Sequence, residues 1–432
     1  MHKILIDGAW VEALAERSRE IKNPATLAPQ GAVAECGAPD VARAVAAAKS
    51  AQGAWRRMPG ADRAALLGEI GARVRSQAQA LAMSSTQECG SPLCESRDAV
   101  AAAAACFEDG AARAREGGSA AAGLLAAIVS FENPLLQMAR ILAPAIAAGH
   151  TVVCKPPQQN PLSSLKFAEL YAPLPRGVVN VVTGGAEAAD ALLEHADVDR
   201  LTFAGSAEAG RAIAAAAGLR RKTLMLEDCA ASASIVFRDA DLDLAVPGVA
   251  WARLCNAGQA GGAGKRIVVE RAIAAQFADR LHEYVAFLEV GDPLKSDTDL
   301  GPLISAEAVG RVGDQVAYAL KDGARLKLGG LRFRPWGLPG YFFQPTIMTE
   351  VRAERLAAHE QICGPVLSIV PAADAEEAIR IANDGQCAVD TSVYTRDPRT
   401  ALQAARAAAS KHARAEHVTA RKATWFPYRD RR

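Results

Sequence analysis

Three runs decide how this chain folds: Thr151-Val152-Val153-Cys154-Lys155-Pro156, then Gly177-Val178-Val179-Asn180-Val181-Val182, then Arg200-Leu201-Thr202-Phe203-Ala204-Gly205-Ser206. Within them Thr151 to Cys154, Gly177 to Val182 and Arg200 to Phe203 are short, mostly apolar stretches, β-branched above all in the first two, which read as buried strands. Between them apolar residues recur at helical spacing, predicting helices over Leu165 to Tyr171, Ala186 to His195 and Ala204 to Ala217, with a further strand at Leu224 to Leu226. Strands alternating with helices make βαβ units and a parallel sheet. The segment therefore predicts an α/β fold of the doubly wound, nucleotide-binding type.

Outward toward the N-terminus the texture is α-rich. Val41 to Trp55, Ala61 to Met83 and Asp98 to Arg115 show apolar residues at helical spacing with Arg and Glu between them, and Pro39-Asp40 and Gly60-Ala61-Asp62 offer helix starts. Toward the C-terminus a second alternating set begins near Val246. It predicts strands at Ile267 to Val269 and Val366 to Val370, and helices at Ala272 to Phe287, Ala306 to Asp322 and Asp374 to Asp384, hence a second α/β domain. The last stretch, Lys411 to Arg432, is rich in Arg, Lys and His, carries Trp425, Phe426 and Tyr428, and shows no period; it reads as a tail.

The chain of 432 residues, half of them hydrophobic and 22% charged, is long enough for two or three domains with cores of their own. Its 49 basic and 48 acidic side chains leave a net charge of +1, which argues against nucleic acid as a partner. No charge-free apolar run is long enough to cross a bilayer. The opening Met1-His2-Lys3-Ile4-Leu5-Ile6-Asp7-Gly8 turns acidic too early for a secretory signal peptide. Nine cysteines (Cys36, Cys89, Cys94, Cys106, Cys154, Cys229, Cys255, Cys363 and Cys387) are scattered without a CxxC pair. That pattern speaks against a disulfide framework or a metal site and for reduced thiols in the cytoplasm.

Chemistry concentrates at the strand ends. Phe203-Ala204-Gly205-Ser206 leaves a strand and opens a helix: Gly205 permits close backbone approach, Ser206 can cap, and a helix N-terminus favours an anionic group. Lys155 stands where an earlier strand ends, at the carboxyl edge where ligands bind in such sheets. Leu226-Glu227 closes the following strand. Further on come Asn256-Ala257-Gly258-Gln259, Gly291-Asp292-Pro293, Gly301-Pro302-Leu303 and Glu360-Gln361-Ile362-Cys363-Gly364-Pro365.

This ordered set resembles the aldehyde dehydrogenase superfamily over roughly residues 4 to 410. The resemblance implies a Rossmann-like NAD(P) domain over residues 1–229, with a shortened oligomerisation element at 116–129. It further implies a catalytic-type α/β domain over 230–410 and a basic tail over 411–432. It also implies NAD or NADP as cofactor and oxidation of an aldehyde through a cysteine thiohemiacetal, with a glutamate as general base. By position the ribose lysine is Lys155, the acidic residue after it is Gln158, the strand end and pyrophosphate turn are Phe203, Gly205 and Ser206, and the base is Glu227. The second glutamate of the late motif falls on Gln361 and its phenylalanine on Cys363.

Several positions depart from the family. The pattern Asn-x-Gly-Gln-x-Cys reads Asn256-Ala257-Gly258-Gln259-Ala260-Gly261, so Gly261 stands where the nucleophile belongs. The oxyanion asparagine is replaced by Glu132, whose charge would oppose a developing oxyanion. After Glu227 the motif continues Asp228-Cys229-Ala230-Ala231, without the family's glycines and lysine, and the late glycine cluster is absent. The expectation is a catalytically inactive relative with a binding, structural or assembly role and weak or absent NAD(P) affinity. It would act as a homodimer or in a hetero-oligomer with an active relative. The alternative is an NAD(P)-dependent oxidoreductase with a non-standard site, using a thiol such as Cys229, Cys255 or Cys363.

Overall fold

The run Leu124-Leu125-Ala126-Ala127-Ile128 is apolar at every position, and in the computed structural model it forms the strand on which the first sheet is built. The structure describes residues 2–116, 122–228, 232–261, 263, 266–354, 362–384 and 391–411. The chain divides into two units, Met1–Asp228 and Cys229–Arg432.

The first unit opens with β1 (Ile4–Ile6) and β2 (Ala9–Val11), an antiparallel pair, and the hairpin β3 (Ser18–Lys22) and β4 (Pro29–Ala34). Helices α1 (Ala38–Arg57), α2 (Gly60–Ser76), α3 (Ala78–Cys89) and α4 (Leu93–Glu116) follow. Then come β5 (Leu124–Ile128), α5 (Pro134–Ala148), β6 (Thr151–Lys155), α6 (Leu162–Ala168), β7 (Val179–Val181), α7 (Ala186–Glu194), β8 (Arg200–Gly205), α8 (Ala207–Leu219) and β9 (Thr223–Asp228). The strand order is β2-β1-β7-β6-β5-β8-β9, parallel from β7 to β9. The chain leaves β5 through β6 and β7 in one direction and returns to β8 and β9 in the other. The reversal point of such a sheet lies beside β5, and ligands of doubly wound folds bind outside the carboxyl ends there.

Side chains alternate along β5. Leu125 and Ala127 join a core with Val100 and Phe107 of α4 and Leu142 of α5; Leu124, Ala126 and Ile128 join another with Val41 and Val45 of α1 and Leu192 of α7. A strand covered on both faces needs apolar residues throughout. On the first face Phe107, Phe167 and Tyr171 pack with ring centroids 5.9 to 6.2 Å apart, in tilted and edge-on arrangements favoured by aromatic quadrupoles.

The second unit holds a six-stranded sheet in the order β12-β15-β16-β11-β10-β17. Its elements are β10 (Ala233–Val236), α9 (Leu242–Leu254), β11 (Arg266–Glu270), α10 (Arg271–Ala286), α11 (Ala306–Lys321) and β12 (Arg325–Leu328). The hairpin strands β13 (Arg332–Phe333) and β14 (Phe342–Phe343), then β15 (Thr346–Thr349), β16 (Val366–Ala372), α12 (Ala375–Asn383), β17 (Thr391–Tyr394) and α13 (Pro398–Lys411) complete it. From β15 to β17 neighbours are parallel, while β12 is an antiparallel edge. One core joins β10 to α11 and α12, another joins β11 to α9 and α10.

Four sequence expectations need correction. Leu124–Ile128, assigned to a shortened oligomerisation element over 116–129, is the central strand β5, with Glu116 ending α4; residues 117–121 lie outside the described residues. Ala61 to Met83 is two helices, because Gln77 leaves helical dihedrals (φ −106°, ψ 12°). Ala204 and Gly205 pair with Glu227 and Asp228 as strand, so the helix begins only at Ala207. The second alternating set starts at Ala233, before Val246. Of the tail, Lys411 ends α13, and 412–432 lie outside the described residues.

Candidate functional site

Parallel registers line up the strand ends of the first unit. Ile128 pairs with Lys155 on one side and Phe203 on the other, and Phe203 with Leu226; one residue further, Ala204 pairs with Glu227. Lys155, Phe203, Gly205, Ser206 and Glu227 therefore share one sheet edge, and the loop carrying Glu132 rises from β5 between them. This is the reversal point of the sheet.

At its centre Val129 still donates to the Lys155 carbonyl at 3.1 Å. The chain then turns through Glu132 into Asn133, left-handed at φ +46°, before Pro134 starts α5. The Phe131 carbonyl accepts from Asn160 Nδ2 at 2.8 Å, and Cys89 Sγ lies 3.7 Å from it. These two buried residues fix the loop; the sequence reading left out Asn160 and counted Cys89 only among the scattered thiols. Glu132 is 8% exposed and accepts from Ser130 Oγ at 3.5 Å.

Toward β6 and β7 the polar groups are turned on one another. Lys155 is 5% exposed, and its Nζ donates to the carbonyls of Pro156 (2.9 Å) and Gly184 (3.1 Å). Burial pulls its ammonium down to about 8, against the opposing pull of Cys154 and Glu35. Gln158 Nε2 donates to both oxygens of Glu35 at 3.2 Å and lies over Gly185, where a Cβ would collide with it. Glu35 itself, on the β4–α1 loop, also accepts from Arg19. Burial pushes its carboxyl up, but the hydrogen bonds from Arg19 and Gln158 outweigh this and hold it below the usual range.

Toward β8 the Phe203 ring is 6% exposed, joins the core beneath α1 and α7, and covers the space a Cβ at Gly205 would need. Phe203 thus supports the edge from below. Ser206 caps α8, its Oγ accepting from Ala209 N at 3.2 Å. A capped helix start beside a bare glycine accommodates an anionic phosphate through backbone N–H groups and the helix dipole. Glu227 is half-buried on the edge strand β9.

In the second unit the loop after α9 is held in an uncommon conformation. Asn256 (φ +50°), Ala257 (φ +52°) and Gly258 (φ +73°) are successively left-handed, a backbone state costly for a residue with a Cβ. Arg253, fully buried, holds it by donating to the carbonyls of Gly258 (3.0 Å), Ile362 (2.6 Å) and Val366 (2.7 Å). Burial lowers its guanidinium to about 10, with Cys363 opposing. Gln259 bridges onward, accepting from Ile304 N at 2.9 Å and donating to the Asn256 carbonyl at 3.1 Å. Ala263 N donates to the Ala260 carbonyl at 3.0 Å, closing a turn that contains Gly261. Cys255 and Cys363 are half-buried, and the Gly364 carbonyl following Cys363 abuts Gly258. Cys229 and Gln361 lie outside the described residues. No group of three or more His, Cys, Asp or Glu suited to a metal ion occurs among the described residues.

Against known proteins the picture is uniform. The model of the "Aldehyde dehydrogenase family" matches residues 10–426. The chain is 34% identical over 416 residues to the betaine aldehyde dehydrogenase of Bacillus subtilis, covering 91% of this chain and 85% of that one. It is 35% identical over 411 residues to the glutarate-semialdehyde dehydrogenase of Pseudomonas aeruginosa, covering 91% and 84%. Among solved structures, lactaldehyde dehydrogenase from Escherichia coli superposes with a TM-score of 0.90 at 32% identity, covering 94% of this chain and 89% of that one. Betaine aldehyde dehydrogenase from Staphylococcus aureus, solved in complex with NAD+, gives 0.91 at 29% identity, covering 94% and 87%. The chain belongs to the aldehyde dehydrogenase family.

Proposed function

We propose that this protein keeps the family's fold and a dinucleotide-type groove without its covalent oxidation of aldehydes, and that it serves a binding, structural or assembly role. The observation that carries this reading is Gly261: the turn where the family's pattern needs a thiol holds a residue with no side chain, and without a nucleophile the thiohemiacetal has no starting point. Glu132 adds to it, because a carboxylate at the oxyanion position repels the charge that would develop there.

The adenosine and pyrophosphate half of NAD or NADP fits the edge formed by Lys155, Gly205, Ser206 and the start of α8. Bound there, the cofactor would accept a hydride. Lys155 and Gln158, however, spend their donors on Pro156, Gly184 and Glu35, so a nucleotide competes with existing hydrogen bonds. Weak affinity is the consequence. A homodimer, or a hetero-oligomer with an active relative, is the assembly in which such a protein acts. We place it in the cytoplasm: no helix among the described residues is long and apolar enough to cross a membrane, and their cysteines are free thiols.

The test is turnover by the purified full chain of betaine aldehyde, lactaldehyde and glutarate semialdehyde with NAD+ and NADP+. No NAD(P)H formation above background is expected, whereas Gly261→Cys should gain hydrolysis of an activated ester through the restored thiol. Ordinary dehydrogenase rates in the unmodified protein overturn the reading. A second reading, an oxidoreductase with a displaced thiol, is favoured by Cys255 and Cys363 flanking the loop that holds Gly261. Its mark would be one of these thiols trapped as an acyl adduct in an intact-mass spectrum.

A further inference from the structure

In doubly wound dinucleotide sites an acidic side chain beyond the strand next to the first reads the ribose 2′-hydroxyl, while a basic one there accommodates a 2′-phosphate. In this chain that strand is β6, and its end offers no acid: Lys155 is followed by Pro156, Pro157 and Gln158. A carboxylate is present nonetheless. It arrives from earlier in the sequence, 123 residues before Gln158, as Glu35 at the start of the β4–α1 connection.

We infer that Glu35 supplies the ribose-reading carboxylate of this groove and sets it to accept NAD over NADP. Its two oxygens lie 3.2 Å from Gln158 Nε2, and the acid interacts electrostatically with the Lys155 ammonium, so it stands at the end of β6 where the ribose rests. Its side chain keeps 17% of its surface open, and, although it also accepts from the Gly185 backbone, a ribose hydroxyl can replace the Gln158 amide shared between its two oxygens. The hydrogen bonds from Arg19 and Gln158 keep it ionised at neutral pH. A 2′-phosphate there meets a like charge, and the cations around it are engaged: Arg19 by Glu35, Lys155 by two carbonyls. Gln158 acts as the positioning residue that aims the carboxylate.

This inference rests on the groove assigned under the proposed function, and the two are separable by binding alone. Full-length protein is titrated with NAD+, NADP+ and AMP by calorimetry and ligand-observed NMR. The expected result is binding of all three, with NAD+ tighter than NADP+ by about tenfold or more. Glu35→Gln, checked for an unchanged melting curve, should bring the ratio below about threefold by improving NADP+ and weakening NAD+, and should weaken AMP, which carries the same 2′-hydroxyl, in step with NAD+. Arg19→Gln, which frees the carboxylate, should preserve or widen the preference. Equal affinities in the unmodified protein, or a ratio unmoved by Glu35→Gln, overturn the role of Glu35 and leave the groove standing. Failure of all three nucleotides to bind at millimolar concentration removes the groove, and the inference with it.

Discussion

At the residue scale, Lys155 shows how a buried strand-end ammonium is held at the expense of stability. Its ammonium sits at about 8, below the ordinary 10.5, so between those values the folded chain holds fewer protons than the unfolded one. The sign follows: stability is highest above pH 10.5, falls as pH drops toward 8, and is flat below, by about 3 kcal/mol over the window. Urea midpoints at pH 7.5, 8.5 and 9.5 should therefore rise with pH in the unmodified protein, relative to Lys155→Met. The variant lacks the titrating group but leaves the Pro156 and Gly184 carbonyls bare, which costs it about 1–3 kcal/mol. Parallel pH profiles for the two proteins would contradict this account. Lysine was legible as a strand-end residue from sequence because Thr151-Val152-Val153-Cys154 is so plainly a strand. Its engagement with Gly184 was not, since nothing local ties residues 29 positions apart.

At the element scale the loop from Cys255 to Ala263 is the sharpest case. Its left-handed residues persist because Arg253 and Gln259 over-determine them, and because Gly258 presses against the Gly364 carbonyl with no room for a Cβ. Gly258→Ala should destabilise the second unit by about 3 kcal/mol or more, combining positive φ with a backbone clash that cannot relax as a side chain would. A chemical denaturation midpoint within error of the unmodified protein would argue that the loop is free to rearrange. The strands show the complementary lesson. The alternating stretch 151–226 was legible because period and turn signals agree there. Leu124–Ile128 was not, because an all-apolar five-residue run carries no period, and only its two parallel neighbours make it a central strand. The hairpin Ser18–Lys22 and Pro29–Ala34 was hidden for other reasons: the first strand is mostly exposed and polar, and the second carries a proline and a glycine that look like loop.

At the scale of the whole molecule, each unit carries cores of its own, with Phe107, Leu142 and Leu192 in the first and Val268, Phe277 and Val312 in the second. Units with separate cores depart from two-state behaviour. Calorimetry should resolve two transitions, and Gly258→Ala should lower one of them by several degrees while leaving the other in place. A single transition that moves as a whole would show that the units unfold together.

What the sequence by itself determined is the part written in local order: strand, glycine turn and helix recurring at the spacing of a doubly wound domain, and a motif series that belongs to the aldehyde dehydrogenase family. It also determined an absence, because no folding can give Gly261 a side chain. The tertiary structure alone decided which groups meet. Parallel pairing set Lys155, Phe203, Gly205 and Glu227 along one edge, packing turned Phe203 inward, and chain return brought Glu35 onto Gln158. Register and topology join residues a hundred positions apart, and no periodicity in the chain records such a meeting.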